Sequence, residues 1–369
     1  MERPSCRAGS REASGQAGRI QPVEAALPSL VGLTTAEIAQ AALAGRDDAR
    51  WRAKQIAHWI YRKGATDFSA MLDLPAALRQ ELAGRFRVQP LEVADHRVSK
   101  DGTQKLLAHS GDGEVFEAVV FPTRERVSCC LSSQVGCPMG CRFCATGLGG
   151  YDRDLTAGEI VAEYLALQRL VDRRISHVVF MGMGEPLLNY ANVLKAIRLL
   201  HEEVGLSYRH ITVSTVGIVP RIDQLADEGL PIHLALSLHS PFDEVRSSLM
   251  PVNQKWKVSE VLSALRRYVA ATGRKATVEY LLLDGITDTP DQAEELARLV
   301  RGMPCVVNLI PFNHVDTEQG FARPRREAVR EFRRRLEAAG VNVTQRVERG
   351  HDIAAACGQL AGRHTGRLA

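Results

Sequence analysis

The chain has 369 residues, of which 45% are hydrophobic and 24% charged, with a formal net charge of +4. That is apolar material enough for one large folded unit and a smaller one, and no apolar run reaches the roughly 18 residues a membrane-spanning helix needs. A net charge this small identifies no partner by itself.

The first segment, residues 1–29, sets Arg3, Arg7, Arg11 and Arg19 among Gly, Ser and Pro with no apolar stretch, and is expected to be a disordered tail. Glu2, Glu12 and Glu24 weigh against a transit peptide. Residues 30–89 are expected to form a small helical accessory domain. Helices are predicted over 33–45 and 49–63, the second with Trp51, Ile56, Trp59 and Ile60 on one face. Pro75 opens a third helix that ends near Gly84. Residues 90–126 form a linker region of strands at 91–98, 104–109 and 115–121, with Ser110-Gly111-Asp112-Gly113 as a hairpin loop.

From residue 127 to 347 strands and helices alternate. Strands are predicted at 127–131, 175–181, 211–215, 232–238, 277–283, 306–310 and 341–347. One intervening helix is opened by Thr156 and Glu159 as a capping box, and another, 260–272, is stopped by Gly273. Such alternation implies right-handed crossovers and a parallel sheet. Without a dinucleotide fingerprint, the fold class is α/β, a partial TIM-like (β/α) barrel, with ligand residues just beyond the strands' carboxyl ends. Residues 348–369 are expected to supply a C-terminal active-site loop and tail. From Phe321 onward there are eleven Arg against five acidic residues. Either this segment neutralises phosphates, or Arg325, Arg326, Arg330, Arg333, Arg334 and Arg335 are the helix-spaced partners of Glu327 and Glu331 on a solvated face.

Five of the eight cysteines fall between positions 129 and 144: Cys129, Cys130, Cys137, Cys141 and Cys144. Clustering inside a long chain points to metal or redox chemistry in the reducing cytoplasm rather than to a disulfide scaffold. Cys137-Pro-Met-Gly-Cys141-Arg-Phe-Cys144 brings three thiolates together on a glycine-containing loop. A structural zinc site would need a fourth ligand, which His177 or Cys130 could supply by folding back. On a four-iron cluster three thiolates leave one iron open to a cofactor.

This C-x3-C-x2-C run after a strand resembles the radical S-adenosylmethionine superfamily. Met181-Gly-Met-Gly184-Glu185-Pro186 after the next strand resembles that family's Gly-Glu-Pro motif. The resemblance implies a 4Fe-4S cluster on Cys137, Cys141 and Cys144, and S-adenosyl-L-methionine bound to the open iron near Gly184 and Glu185. Physically, glycine allows close backbone approach and a carboxylate can pair with the cofactor ammonium.

Further segments narrow the match: Ser132-Ser-Gln-Val-Gly-Cys137, Gly182-Met-Gly-Glu-Pro-Leu-Leu-Asn189, Ser237-Leu238-His239, Ala355-Ala-Cys357-Gly-Gln-Leu360 and the early Trp51-Arg-Ala-Lys-Gln-Ile56. Together they are similar to the dual-specificity adenine-C2 methyltransferases of 23S rRNA and tRNA, over about residues 30–361. The resemblance implies methylation of the peptidyl transferase centre of 23S rRNA and of tRNA beside the anticodon, with two S-adenosyl-L-methionine molecules per turnover. It implies Cys357 as methyl carrier, Cys130 as the resolving thiol that ends in a transient disulfide, and Glu117 as proton acceptor. It also implies Ser214, Ser237, Leu238, His239 and Asn313 as cofactor contacts, and a low-potential electron donor such as flavodoxin. A radical route suits the problem, because carbon 2 of adenine is electron-poor and has no lone pair.

Taken singly, these residues have plainer readings. Ser214 can cap a helix, His239 can sit in a turn, Asn313 can bond within a loop, and Glu117 can pair with a buried Arg. Phe143 shields the cluster or packs in the core, and Cys305 reads as a small core residue. Cys129 neighbours Cys130 on a strand, so the two face opposite sides and Cys129 is expected in packing. Two positions depart from the family pattern: His314, where proline usually follows the asparagine, and Ala354, where an acidic residue is common. Competing readings are carbon-8 methylation by the sister group, a non-catalytic RNA-binding metal protein, and a radical enzyme that activates a protein partner.

Overall fold

Thr34 accepts the Glu37 amide while the Glu37 carboxylate accepts the Thr34 amide, a reciprocal cap that starts the first helix. The computed structural model describes residues 27–315 and 320–361. Most of the expected tail, Cys6 among it, and residues 362–369 with Arg363 and Arg367 lie outside the described residues. Helix α1 spans Thr35–Ala42, α2 spans Ala49–Tyr61 and α3 spans Ala76–Ala83. In α2 the residues Ala53, Ile56, Ala57 and Ile60 are buried. Trp51, expected on that face, is instead 56% exposed, with the Arg52 guanidinium 4.2 Å over its ring. Five residues do not make a whole number of turns, so Trp51 and Ile56 diverge while 53, 56, 57 and 60 share a stripe.

These helices dock on the main body. The Thr35 amide and hydroxyl donate to Glu203 at 2.7 and 2.9 Å, and the Arg62 guanidinium donates to the Val204 carbonyl at 2.7 Å. One apolar core runs from Leu30 through Ile56 to the strands.

Residues 90–126 do more than connect. Strands β1 (Leu91–Val98), β2 (Gln104–Ser110) and β3 (Val115–Pro122) form an antiparallel meander. β3 pairs antiparallel with β4 (Val127–Leu131), Val119 opposite Cys130. Strands β5 (Gln134–Gly136) and β6 (Tyr151–Asp154) make a separate hairpin around the short helix α4 (Ala145–Leu148). Then come α5 (Ala157–Gln168), β7 (Ile175–Phe180), α6 (Tyr190–Glu202), β8 (Ile211–Thr215), α7 (Val219–Asp227), β9 (His233–Ser237), α8 (Asp243–Leu249) and α9 (Val258–Thr272). The chain continues through β10 (Ala276–Leu282), α10 (Pro290–Val300), β11 (Cys305–Pro311), α11 (Arg326–Ala338) and β12 (Val343–Gln345).

The main sheet runs β1-β2-β3-β4-β7-β8-β9-β10-β11-β12, with every pairing from β4 onward parallel. All five residues of β4 are buried, as expected of a parallel strand covered on both faces. The Thr156 capping box and the left-handed Gly273 cap form as predicted. Among the described residues β12 pairs only with β11 and β1 only with β2, so the sheet stays open. Residues of β7, β8, β9, β10 and β11 nevertheless line one cavity, which requires the sheet to curl. The fold is an α/β partial barrel carrying a helical N-terminal unit.

Candidate active site

The three-cysteine loop is closed at its base by the β5/β6 hairpin. The Cys137 amide donates to the Gly150 carbonyl at 2.6 Å. Gly136 has φ +74°, and a Cβ there would lie 2.2 Å from the same carbonyl, so only glycine fits. Cys137, Cys141 and Cys144 all border one cavity of about 160 Å³ at the carboxyl ends of the parallel strands. Burial pushes the Cys137 thiol up to about 12 and raises Cys141 as well. A metal must therefore displace protons to bind.

The loop after β7 forms the facing wall. A Cβ on Gly184 (φ +96°) would lie 2.5 Å from the Gln134 side chain, so glycine lets this loop sit against the β4–β5 segment. Glu185 is buried and accepts hydrogen bonds from the amides of Leu187 (3.1 Å) and Val216 (2.9 Å). Burial outweighs these bonds and lifts its carboxyl to about 7. Ser214 and Ser237 border the same cavity with their hydroxyls 3.4 Å apart. His239 combines both of its readings: it turns the chain at φ +62° and lines the cavity. Its Nδ1 accepts the Leu281 amide at 3.1 Å, its ring meets Phe143 edge-on at 5.0 Å, and burial holds it neutral, down to about 3. Leu238 stands apart. Its side chain is in the core, its amide donates to Glu279 and its carbonyl accepts from Arg246, and it is not among the residues lining the cavity.

A second cavity, about 260 Å³, adjoins the first and is bordered by Cys130, Asn313, Arg126 and Arg349. Cys144, Gly182, Arg346 and Cys357 border both cavities. Asn313, expected at the cofactor, lies in the second: its Nδ2 donates to the Cys357 carbonyl at 3.2 Å, and its Oδ1 is buried with no hydrogen-bond partner. Cys129 is fully buried on the opposite side of β4 from Cys130, and Cys305 is buried in β11. All seven described cysteines are free thiols, so the expected disulfide between Cys130 and Cys357 is not formed here. Burial raises both of these thiols, Cys130 to about 12.

Residues 131–300 match the family described as the Radical SAM superfamily, and residues 29–88 match the ribosomal RNA large subunit methyltransferase N-terminal domain. A probable dual-specificity RNA methyltransferase RlmN of Symbiobacterium thermophilum is 48% identical, over 92% of this chain and 93% of that protein. The chain belongs to the RlmN family of radical SAM proteins. The RlmN of Marinobacter nauticus is 42% identical, over 91% of this chain and 93% of its own length. The crystal structure of a radical SAM methyltransferase from Sphaerobacter thermophilus superposes with a TM-score of 0.87 at 46% identity, covering 91% of this chain and all of that one.

Membership of the radical SAM superfamily implies a 4Fe-4S cluster and S-adenosyl-L-methionine, and the donor set fits them. Three thiols border one cavity, each available to a different iron. Among the described residues no group of three His, Cys, Asp or Glu side chains gathers as the ligands of a single ion would. Of the two expected fourth ligands, His177 stacks on His210 with ring centroids 4.2 Å apart and borders neither cavity, and Cys130 borders the second cavity rather than the first. A closed zinc tetrahedron is the poorer match.

Within this RlmN-family chain two features escape sequence reading. The first is a clamp on the Cys357 loop. Lys105 donates to the Ala354 carbonyl at 3.1 Å and pairs with Glu117 at 2.8 Å, both side chains buried. The other Glu117 oxygen accepts the Ala361 amide at 2.8 Å. One buried ion pair thus grips the loop on both sides of Cys357. Glu117 is not among the residues lining either cavity, and its partner is a lysine where an arginine was the expected alternative. From the other side, Ala145 and Thr146 bond the Gly358 and Leu360 carbonyls at 2.8 and 2.6 Å, tying the loop to the residues after Cys144. The departure at Ala354 occupies a left-handed turn, φ +50°. His314 accepts Gln359 through its carbonyl at 2.9 Å, a bond proline could also make.

The second feature is Arg346, just past β12. Its charge acts on Cys357 first, then on Glu279 and Cys130, and favours the thiolate of Cys357 against burial. Glu279 is in turn held by Asn308 at 2.8 Å. The usable signal was its place after a parallel strand, where ligand-facing residues gather. The Arg-rich α11 resolves toward the plainer alternative. Arg330, Arg333 and Arg334 pair with Glu327, Glu337 and Glu331 on their own helix, and Arg335 with Glu331 and Glu294. No helix among the described residues is long and apolar enough to cross a membrane.

Proposed function

We propose that the chain methylates carbon 2 of an adenine, in 23S rRNA at the peptidyl transferase centre and in tRNA beside the anticodon, with Cys357 as methyl carrier. The observation that carries this reading is that Cys357 borders both cavities, so one sulfur serves a cofactor side and a substrate side. When bound in the first cavity, a 4Fe-4S cluster and two successive S-adenosyl-L-methionine molecules supply the methyl group and the one-electron radical chemistry.

Cys137, Cys141 and Cys144 would hold the cluster. Glu185, with both oxygens oriented by backbone amides, would take the cofactor ammonium. Ser214, Ser237 and His239 supply the remaining polar wall. Arg346 favours the Cys357 thiolate, the form able to accept a methyl group. In the second cavity the unused Asn313 Oδ1 suits the exocyclic amine of adenine. Cys130 stands in the same cavity as the second thiol that would release the product. Glu117 holds the loop through Lys105, so a proton-acceptor role requires that loop to open. The target base must leave its stack to enter a cavity of this kind.

The division we adopt is 30–89 for the accessory domain, 127–347 for the barrel and 348–369 for the active-site loop and tail. A cytoplasmic setting keeps the thiols reduced, and a flavodoxin-type donor fits the need for a low-potential electron. The test is anaerobic reconstitution followed by reaction with reductant, S-adenosyl-L-methionine and either 23S rRNA fragments or tRNA. Nucleoside analysis should find 2-methyladenosine. Finding 8-methyladenosine transfers the chain to the sister activity, and finding no methylated adenosine overturns the reading.

A further inference from the structure

Arg246 on α8 is fully buried, the largest such side chain in the described structure. Its Nε donates to the Leu238 carbonyl at 3.0 Å. Its Nη1 donates to Asn253 Oδ1 at 2.8 Å, and its Nη2 to the carbonyls of Val216 and Ser237 at 2.6 and 3.3 Å. Every one of these acceptors is neutral. A buried guanidinium held only by neutral oxygens is costly unless an anion compensates it. The groups its Nη2 holds border the cysteine cavity. Val216 and Ser237 line the cavity of the three cysteines, as does Met250, whose amide bonds the Arg246 carbonyl at 2.7 Å. The three-cysteine loop is pinned to the same helix, the Arg142 amide donating to the Leu249 carbonyl at 3.0 Å. Arg246 also acts electrostatically on Cys141, and the carboxylate that acts on Arg246 in return is Asp243, held by Asn253 and the Val258 amide.

We propose that Arg246 is the fixed counter-cation of the cluster site, a positioning residue behind the cavity wall that sets how readily the bound cluster accepts an electron. It rests on the cluster assignment made above. A 4Fe-4S core bearing three thiolates is anionic, and adding one electron from a low-potential donor makes it one charge more negative. No bond forms or breaks at Arg246, which keeps its charge throughout. A cation in a medium of low dielectric stabilises the reduced form more than the oxidised form.

The test is a redox titration of the anaerobically reconstituted protein with dithionite, followed by the spectroscopic signal of the reduced cluster. Wild type must first show bound iron and sulfide; if it does not, the cluster assignment fails and not this proposal alone. In Arg246→Gln the midpoint should fall by the equivalent of at least tenfold in the electron-transfer equilibrium, about 59 mV for one electron. Arg246→Lys keeps the charge while breaking the fork of hydrogen bonds, and should stay near wild type. Asp243→Asn, which keeps an oxygen for its two donors, should move the midpoint the other way, and it decides the matter if Arg246→Gln does not fold. A cluster-loaded Arg246→Gln with an unchanged midpoint overturns the proposal. So does a Lys variant that shifts as far as Gln, or an Asp243→Asn protein without an upward shift.

Discussion

The two cavities share a wall but hold their sulfurs by different means. In the first, Cys137, Cys141 and Cys144 come from one tight loop whose ends are fastened by the β5/β6 hairpin. In the second, Cys130 comes from a buried central strand and Cys357 from a loop near the chain's end, brought together by the Lys105 and Glu117 clamp. The first arrangement is local and survives as long as the hairpin does. The second is tertiary: a buried ion pair and the hydrogen bonds from Ala145, Thr146 and Asn313 hold a loop that lies far from Cys130 in sequence. A local site can be read as a spacing, whereas a tertiary one appears only as isolated residues.

The sharpest way to separate the two is by paired loss. Cys141→Ala should lose bound iron and all methyl transfer, while Cys357→Ala should keep its iron and lose methyl transfer just as completely. Iron analysis alongside product nucleosides reads both, and iron loss in Cys357→Ala would dissolve the distinction. Next in size is the clamp. Lys105→Met strips a buried carboxylate of its ammonium and should cost about 3–5 kcal/mol in urea unfolding. Adding Glu117→Gln should recover much of that. Full stability in Lys105→Met would remove the clamp from the account.

The first cavity carries its own signature in pH. In cofactor-free protein Glu185 titrates near 7 against 4.5 for an ordinary carboxyl, so between those values the folded state binds the extra proton. Its contribution is therefore greatest below pH 4.5 and declines as pH rises through 7, by about 3 kcal/mol in all. Glu185→Gln should flatten that decline in unfolding free energies measured at pH 5 and pH 8. For the second cavity, Arg346→Met removes the charge that opposes burial at Cys357. Alkylation of Cys357 at neutral pH should slow about tenfold for each unit the thiol rises, with the pH profile displaced upward. The smallest effect is at Ala354, whose left-handed backbone costs an alanine about 1 kcal/mol. Ala354→Gly should raise the melting temperature slightly and leave iron content untouched.

The same contrast explains what was legible in the sequence. The Cys137, Cys141 and Cys144 spacing, the Thr156 cap and the β4 and β8 strands were readable because each is set by neighbours in the chain. Helix α2 misled at Trp51, where aromatic character suggested burial but the helical stripe passes through Ala53 and Ala57 instead. The β1 to β3 meander looked like a linker because hairpin signals say nothing of which sheet a hairpin joins. Asn313 and Leu238 were carried over as cofactor contacts by motif, yet Asn313 borders the second cavity and Leu238 neither. Lys105 and Arg246 gave no local signal at all, and Arg346 gave only its place after a parallel strand. Each is a basic residue whose meaning comes from burial and from partners distant in sequence.

The most direct test of a carrier sulfur shared by the two cavities is mass spectrometry after one turnover with methyl-labelled S-adenosyl-L-methionine in the absence of RNA. The account requires a single labelled methyl on the peptide holding Cys357 and none on the peptide holding Cys130. Label on Cys130, or labelled RNA from a Cys357→Ala protein, would contradict it.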